Sequence, residues 1–481
     1  MKPEAPYWWR RVHLTEKYLF KMKKTNILIP LVLMIHLILL ISLRFIAWPE
    51  MMLWPYFIIK GLLPYQDIAI AHNPLLIFDL TIFYKIFGIS LFNLKLYTWI
   101  LILITDLLIY WVAEKLTKNK AIAIFSLLFF VLWQPYFEGN GLWFDLALAP
   151  LALLFFYFLW SKEYLWSGIL FGLAILVKQT AFWFVLPIGF SLWLLKSLKN
   201  RLILKFLIGL AIPLSLFLIY LTFTNTLQDF YFWAIQYGIG YLPRAPGQVD
   251  FPGPKEALSL GVPYGFVLFA LYFFIQKQFK EKRLLLLLLV WCLFGALGVY
   301  PRWGYVHFQP SLPFLAIISG VCLSSIKISS KNLAKLWYAF LILVMIGTVY
   351  LQARFYRLNW QKPDRFFEEE TMQAASWLKQ NTTPGEKIFI LNSWDHLYAL
   401  SNTLPAVSPW VPTLPWYMEY PGVQEVIVTD LERKKPELVV FEPYKEKGLG
   451  SYKPEIIDKF LQENYTLEEI IAGRFQILKL K

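Results

Sequence analysis

The chain has 481 residues, of which 58% are hydrophobic and 19% aromatic, with a formal net charge of +14. This composition exceeds the roughly 45–50% apolar content of soluble domains and indicates a polytopic membrane protein. The charge is not a nucleic-acid footprint: the first 353 residues hold 30 basic and 14 acidic side chains placed between apolar runs, whereas the remainder holds 16 and 18, a pattern of orientation signals rather than of a basic patch.

A bilayer span takes roughly 20 apolar residues. In chain order such runs fall near 26–48, 92–114, 119–136, 142–160, 164–181, 182–196, 202–222, 258–276, 284–300, 309–326 and 334–353, about eleven in all. The first is too long for a cleaved leader and reads as a signal anchor behind a basic N-terminus, residues 1–25. The stretch 75–90 is shorter and carries Asp79 and Lys85, which predicts a re-entrant or interfacial helix. "LAILVKQTAFWFVLP" leaves 164–196 open between a turn and a break separating two short helices. Asp106, inside "LITDLLIY", is expected to have a buried structural partner, and Cys292 and Cys322 read as small buried hydrophobes.

Lys and Arg set the sidedness. With the N-terminus in the cytoplasm, 22 of the 30 basic residues of this region fall in cytoplasmic pieces such as "EKLTKNK", "KSLKNRLILK" and "KQFKEKR". The positive-inside rule then places Glu50 to Pro74, "EGNGLWFD", the 223–257 loop, "YPRWGYVH" and everything after Arg354 on the outer side. The last segment changes character. "FFEEETMQAASWLKQNTTPGEKIFIL" predicts a helix, a Pro-Gly turn and a strand, "VQEVIVTDLERKKPELVVFE" a helix and a buried strand, and the final stretch a helix and two strands. The expected organisation is a basic N-terminus (1–25), a transmembrane domain (26–353) and an extracytoplasmic α/β domain (354–481).

Ionisable groups concentrate in the outer loops. Glu50, Asp67 and His72 lie in the first, Glu138 and Asp145 in the second, Lys178 at the end of the fifth run, Arg244 in the long loop, and Arg302 and His307 before the tenth run. Charges at membrane depth are costly, so this grouping marks a functional site. Early-loop acids and later cations suit a substrate with a nucleophile and an anionic leaving group. Plainer readings stand beside these: turn chemistry for Asp67, a helix-N-terminal acid for Glu50, a loop hydrogen-bonder for His72, snorkelling for Lys178, and headgroup contact for Arg302 and His307. Asp395 and His396 in "NSWDHLY" read as structural.

Three motifs carry a family resemblance. "GLLPYQDIAIAHNPLL", "SGILFGLAILVKQTAFWFVLP" and "YPRWGYVHFQPSLPFLAI" resemble, in order and sidedness, stretches of GT-C-fold membrane glycosyltransferases, in the branch of protein O-mannosyltransferases and the lipid A aminoarabinose transferase. The resemblance covers about residues 26–353. It implies transfer of a hexose or pentose from a polyprenyl-phosphate carrier to a protein, lipid or polysaccharide acceptor at the outer face, usually with inversion, in a cell membrane of prokaryotic type. It places the first-loop acid at Glu50, a second acid at Asp145, and carrier-phosphate cations at Lys178 and Arg302 with His307 adjacent. Here the first-loop acid is a lone Glu followed by Met-Met, so the base stays open between Glu50 and Asp67. No DxD is present; no cofactor is implied with certainty, and a divalent metal is left open. The alternative is a non-enzymatic carrier or flippase of lipid-linked sugars, and a third reading is a membrane sensor with an outer ligand-binding domain.

Overall fold

The computed structural model describes residues 27–246, 248–276, 282–325 and 331–481. The basic N-terminus expected over 1–25 lies outside the described residues, as does part of the basic loops around 277–281 and 326–330. Among the described residues, a helix lies in each of the eleven apolar runs. They are α1 (Ile27–Ser42), α4 (Leu91–Thr117), α5 (Lys120–Trp133), α6 (Phe144–Trp160), α7 (Tyr164–Val177), α8 (Val185–Leu194), α9 (Asn200–Phe223), α11 (Pro254–Ile275), α12 (Lys282–Ala296), α13 (Leu312–Ser325) and α14 (Lys331–Asn359). Between them lie α2 (Glu50–Ile59), α3 (Leu75–Phe87) and the single turn α10 (Leu227–Phe230).

Five helices, α4, α9, α11, α12 with its 3₁₀ extension, and α14, are long and apolar enough to cross a membrane. Much of their surface faces outward. On α9, Leu207, Ile212 and Leu216 are exposed, and on α14 Leu343, Ile346 and Val349. Apolar stripes of this length are stable in hydrocarbon and not in water. Local chemistry sets several helix ends. Ser90 Oγ accepts from Asn93 N–H at 3.1 Å to start α4, and Asn119 Oδ1 accepts from Ala121 N–H at 2.9 Å to start α5, both N-caps.

Small residues bring helices into contact. A Cβ on Gly168 of α7 would lie 2.1 Å from the Phe206 carbonyl oxygen, and one on Gly209 of α9 would lie 2.1 Å from that of Leu165. The two glycines therefore let the α7 and α9 backbones touch, as small residues do at membrane helix crossings. Asp106 has the buried partner its sequence position suggests: its Oδ2 lies 2.7 Å from His36 Nδ1, linking α4 to α1. Asn140, after α5, donates from Nδ2 to the carbonyls of Leu40 and Leu43 at 3.0 and 3.1 Å and fixes the C-terminal end of α1.

The C-terminal part holds a five-stranded sheet, β1 (Lys387–Leu391), β2 (Leu404–Pro405), β3 (Leu438–Phe441), β4 (Tyr465–Ile471) and β5 (Phe475–Leu480), in the order β2-β1-β3-β5-β4. β1 runs parallel to β2 and β3, whereas β5 is antiparallel to β3 and β4. Helices α15 (Glu369–Asn381), α16 (Leu397–Ser401), α17 (Pro415–Met418), α18 (Val423–Lys434) and α19 (Glu455–Asn464) accompany it. The helices and strands expected from the three quoted stretches are all present. This part docks on the loop after α2. Ala69 N–H donates to the Trp410 carbonyl and Trp410 N–H to that of Asp67, both at 2.8 Å, and Tyr56 Oη donates to the Thr403 carbonyl at 2.8 Å.

Candidate active site

Asp145, Lys178 and His307 converge. Asp145 lies in the first turn of α6 and is fully buried. Its Oδ2 accepts from Lys178 Nζ at 2.5 Å and lies 2.8 Å from His307 Nδ1, and Lys178 Nζ is 3.3 Å from the same ring nitrogen. Lys178 reaches this point because α7 stops there. Its backbone is extended, with φ −154° and ψ 139°, and a 3₁₀ segment from Gln179 to Phe184 then leads into α8. Of the two readings left open for 164–196, the structure adopts the break between two helices. Gln179 Nε2 donates to the Ala71 carbonyl at 2.7 Å and ties the break to the loop between α2 and α3. Asp145 Oδ1 and Thr180 Oγ1 are buried without a hydrogen-bond partner among the described residues. The cluster thus keeps polar atoms free for a ligand.

His72 joins this group. Its ring centroid lies 4.5 Å from that of Phe144 and 6.0 Å from that of Trp143. Burial, with Lys178 second, drives its imidazole down to about 3 against the opposing pull of Asp145, so the ring is neutral.

Glu50 opens α2, and its Oε2 is enclosed without a hydrogen-bond partner among the described residues. Burial raises its carboxyl to about 6. Trp54, four residues on and so on the same face of α2, packs 6.2 Å from Phe144 and 6.5 Å from His72. That face therefore looks toward the Asp145 group. Across from Glu50 lies Asp395 of the C-terminal part. Its carboxyl stands well above the usual carboxylate range, chiefly through burial and then through the Glu50 charge. Asp395 is thus a neighbour of the candidate base, although its sequence position suggested only a structural part. No spacing signal could have found it, since the pairing exists only once the C-terminal part docks.

The other expected residues lie elsewhere. Asp67 closes a turn: its Oδ2 accepts from Leu63 N–H at 2.8 Å. Arg302 stacks over the Trp416 ring at 4.6 Å and donates to Gln248 Oε1 at 3.2 Å. Arg244 is exposed and forms no ion pair among the described residues. Glu138 lines a separate cavity with Arg44 and Arg365. The fold brings one early-loop acid directly against two later residues, Lys178 and His307, where α6 starts, α7 stops and the segment before α13 passes. Among the described residues, no three His, Cys, Asp or Glu side chains gather to hold a metal ion.

Residues 71–244 match the model of the family described as dolichyl-phosphate-mannose-protein mannosyltransferase. That range contains His72, Asp145 and Lys178. Among solved structures, the chain is similar to ArnT from Cupriavidus metallidurans bound to undecaprenyl phosphate, at 12% identity and a TM-score of 0.60, covering 94% of this chain and 97% of that one. The apo state of the same protein matches at 12% identity and 0.60, covering 95% and 98%. The oligosaccharyltransferase of Archaeoglobus fulgidus matches at 12% identity and 0.47, covering 86% and 69%. No curated protein matches the sequence. The protein has the fold of the GT-C membrane glycosyltransferases, as its sequence motifs implied. Within that class its central region carries the mannosyltransferase family pattern.

Proposed function

We propose that this chain is an integral-membrane glycosyltransferase that moves a sugar from a polyprenyl-phosphate carrier to an acceptor at the outer face of the membrane. The observation that carries this reading is the buried Asp145–Lys178–His307 cluster with its free Asp145 Oδ1. Breaking a sugar–phosphate bond develops negative charge on the departing phosphate. Preorganised cations in a closed site stabilise that charge far better than water does. Lys178 supplies the cationic face with His307 beside it, and Asp145 orients both. Arg302 extends positive charge toward the loop.

The acceptor must lose a proton as the new bond forms. Glu50 suits this role because its carboxyl, held near 6, is ionised at neutral pH yet basic enough to take a proton. Asp67 is spent on its turn, which favours Glu50 of the two candidates. Neutral His72 positions rather than carries charge.

The proposed topology has eleven spans, α1, α4 to α9 and α11 to α14, with the N-terminus cytoplasmic and the sheet-bearing domain (354–481) outside. It rests on the distribution of Lys and Arg, and it brings Asp145, Lys178 and His307 to the outer ends of their helices. A reporter fused at the C-terminus that works only in the cytoplasm would overturn it. The reaction is tested by mass spectrometry of glycans and lipids from cells with and without the chain, followed by assay of the purified protein on lipid-phosphate sugars. Loss of one glycan species, restored by the parent but not by Lys178→Gln, is expected. Movement of the lipid across liposomes with no turnover would favour the carrier reading.

A further inference from the structure

A cavity of about 710 Å³ opens between α11, α14, the end of α1 and the 135–140 segment. It is separate from the Asp145 cluster, though the same two loops wall both: Glu138 and Tyr305 face the cavity, while Asp145 and His307 meet in the cluster. Its polar end carries Arg44, Lys255, Arg354 and Arg365 against Glu138 and Glu256. Among the described residues, Arg44, Lys255 and Arg354 form no ion pair, and Arg44 Nε is buried without a hydrogen-bond partner. Arg365 is held over the Trp48 and Phe366 rings at 5.4 and 4.8 Å. The N-terminus of α11, beside Lys255, carries Glu256 in its first turn, and that carboxylate offsets the partial positive charge of the helix end.

Two more features point to a ligand. Glu138 sits at φ 54° and ψ 25°, a left-handed conformation that a non-glycine residue adopts at a cost and that collects at binding sites. The remaining wall is apolar. Leu258, Val262 and Leu351 line it, as does Gly347, where a Cβ would meet Val262 Cγ2 at 2.8 Å. This wall continues onto the exposed apolar face of α14. A charged end joined to an apolar trough that opens on the bilayer has the polarity profile of a lipid.

We infer that this cavity binds the phosphate headgroup of an anionic membrane lipid, with the lipid chain along the α11–α14 seam, as a site independent of Lys178. Arg44 and Arg354 hold the phosphate, Lys255 adds to the field, and Glu138 and Glu256 accept from headgroup hydroxyls. Unpaired guanidinium groups are suited to this because they bind phosphate oxygens in pairs.

The test is native mass spectrometry of the purified full chain titrated with dioleoyl phosphatidylglycerol, with phosphatidylcholine and glycerol 3-phosphate as separate probes. Arg44→Gln combined with Arg354→Gln should weaken phosphatidylglycerol binding by roughly tenfold or more, the size of losing charge-assisted hydrogen bonds. Arg354→Lys should retain most of it, Lys178→Gln should leave it unchanged, and glycerol 3-phosphate should not displace the lipid. Should the double variant fail to fold, Leu258→Trp, which fills the trough from an exposed position, must lower the same affinity. Parent-like affinity in these variants overturns the proposal. So does displacement by glycerol 3-phosphate, which would mean a soluble anion, or loss only in Lys178→Gln, which would mean the lipid sits in the other site.

Discussion

Lys178 Nζ lies 2.5 Å from Asp145 Oδ2, and the two side chains are 6% and 0% exposed. Removing one partner of such a pair strands a buried charge, at a typical cost of roughly 3–5 kcal/mol. Asp145→Asn and Lys178→Met should each lower the melting temperature in detergent. The double variant should lose less than the sum of the two. Parent-like melting of both single variants would show that the pair carries no such coupling.

Glu50 should trade stability against activity. Its carboxyl is raised from 4.5 to about 6 by burial, so folding favours the protonated form. Its stabilising contribution is complete below 4.5 and is lost as pH rises through about 6. Glu50→Gln removes that loss, and at about pH 8 the variant should melt no lower than the parent, while turnover falls by about 10²–10⁴-fold. The parent's turnover should climb with pH through the same region. A flat pH profile, or near-normal turnover in Glu50→Gln, would remove Glu50 as base.

Asp67 should behave as a turn residue. Asp67→Asn keeps an oxygen for Leu63 N–H, so turnover should stay within about tenfold, well short of losing a base. Asp67→Ala should cost about 1 kcal/mol of stability by freeing that N–H. A drop in Asp67→Asn as large as that in Glu50→Gln would exchange their roles.

Arg302 is held by the C-terminal part through Trp416. If it meets the carrier phosphate, Arg302→Ala should raise KM for the lipid donor and reduce turnover, because the phosphate is present in ground and transition states alike. Trp416→Ala should raise KM in the same direction but less, since a cation–π contact is worth roughly 0.5–2 kcal/mol. Independent effects of the two substitutions, measured as a double-mutant cycle, would argue that Trp416 does not position Arg302.

The helical framework was legible because an apolar run long enough for a bilayer leaves one backbone solution, a helix. The C-terminal helices and strands were legible from Pro-Gly punctuation and periodicity. Lys178 was visible as an oddity in an apolar run, and Asp106 as a residue that required a partner. The family resemblance grouped Asp145, Lys178 and His307 at one site; what the sequence left hidden was their direct contact. Asp145 and His307 are far apart in the chain, and nothing local reports that α6 and the loop before α13 meet. Asp395 was hidden for the same reason, and Glu138, itself in the left-handed region, lines a different cavity from Asp145. Loop residues of one charge type look alike until the backbone aims them.

The touching glycines of α7 and α9 have a mechanical consequence. α7 is a lever whose pivot is Gly168 and whose end carries Lys178, ten residues or about 15 Å further along at 1.5 Å per residue. A single methyl at the pivot has no room, since the Phe206 carbonyl oxygen already occupies its place. Gly168→Ala must tilt or shift the rod, and the displacement reaches the tip. The ion-pair geometry that organises the cluster therefore depends on a contact that touches no substrate, and damage at that helix crossing would register at the cluster as misalignment of the charge.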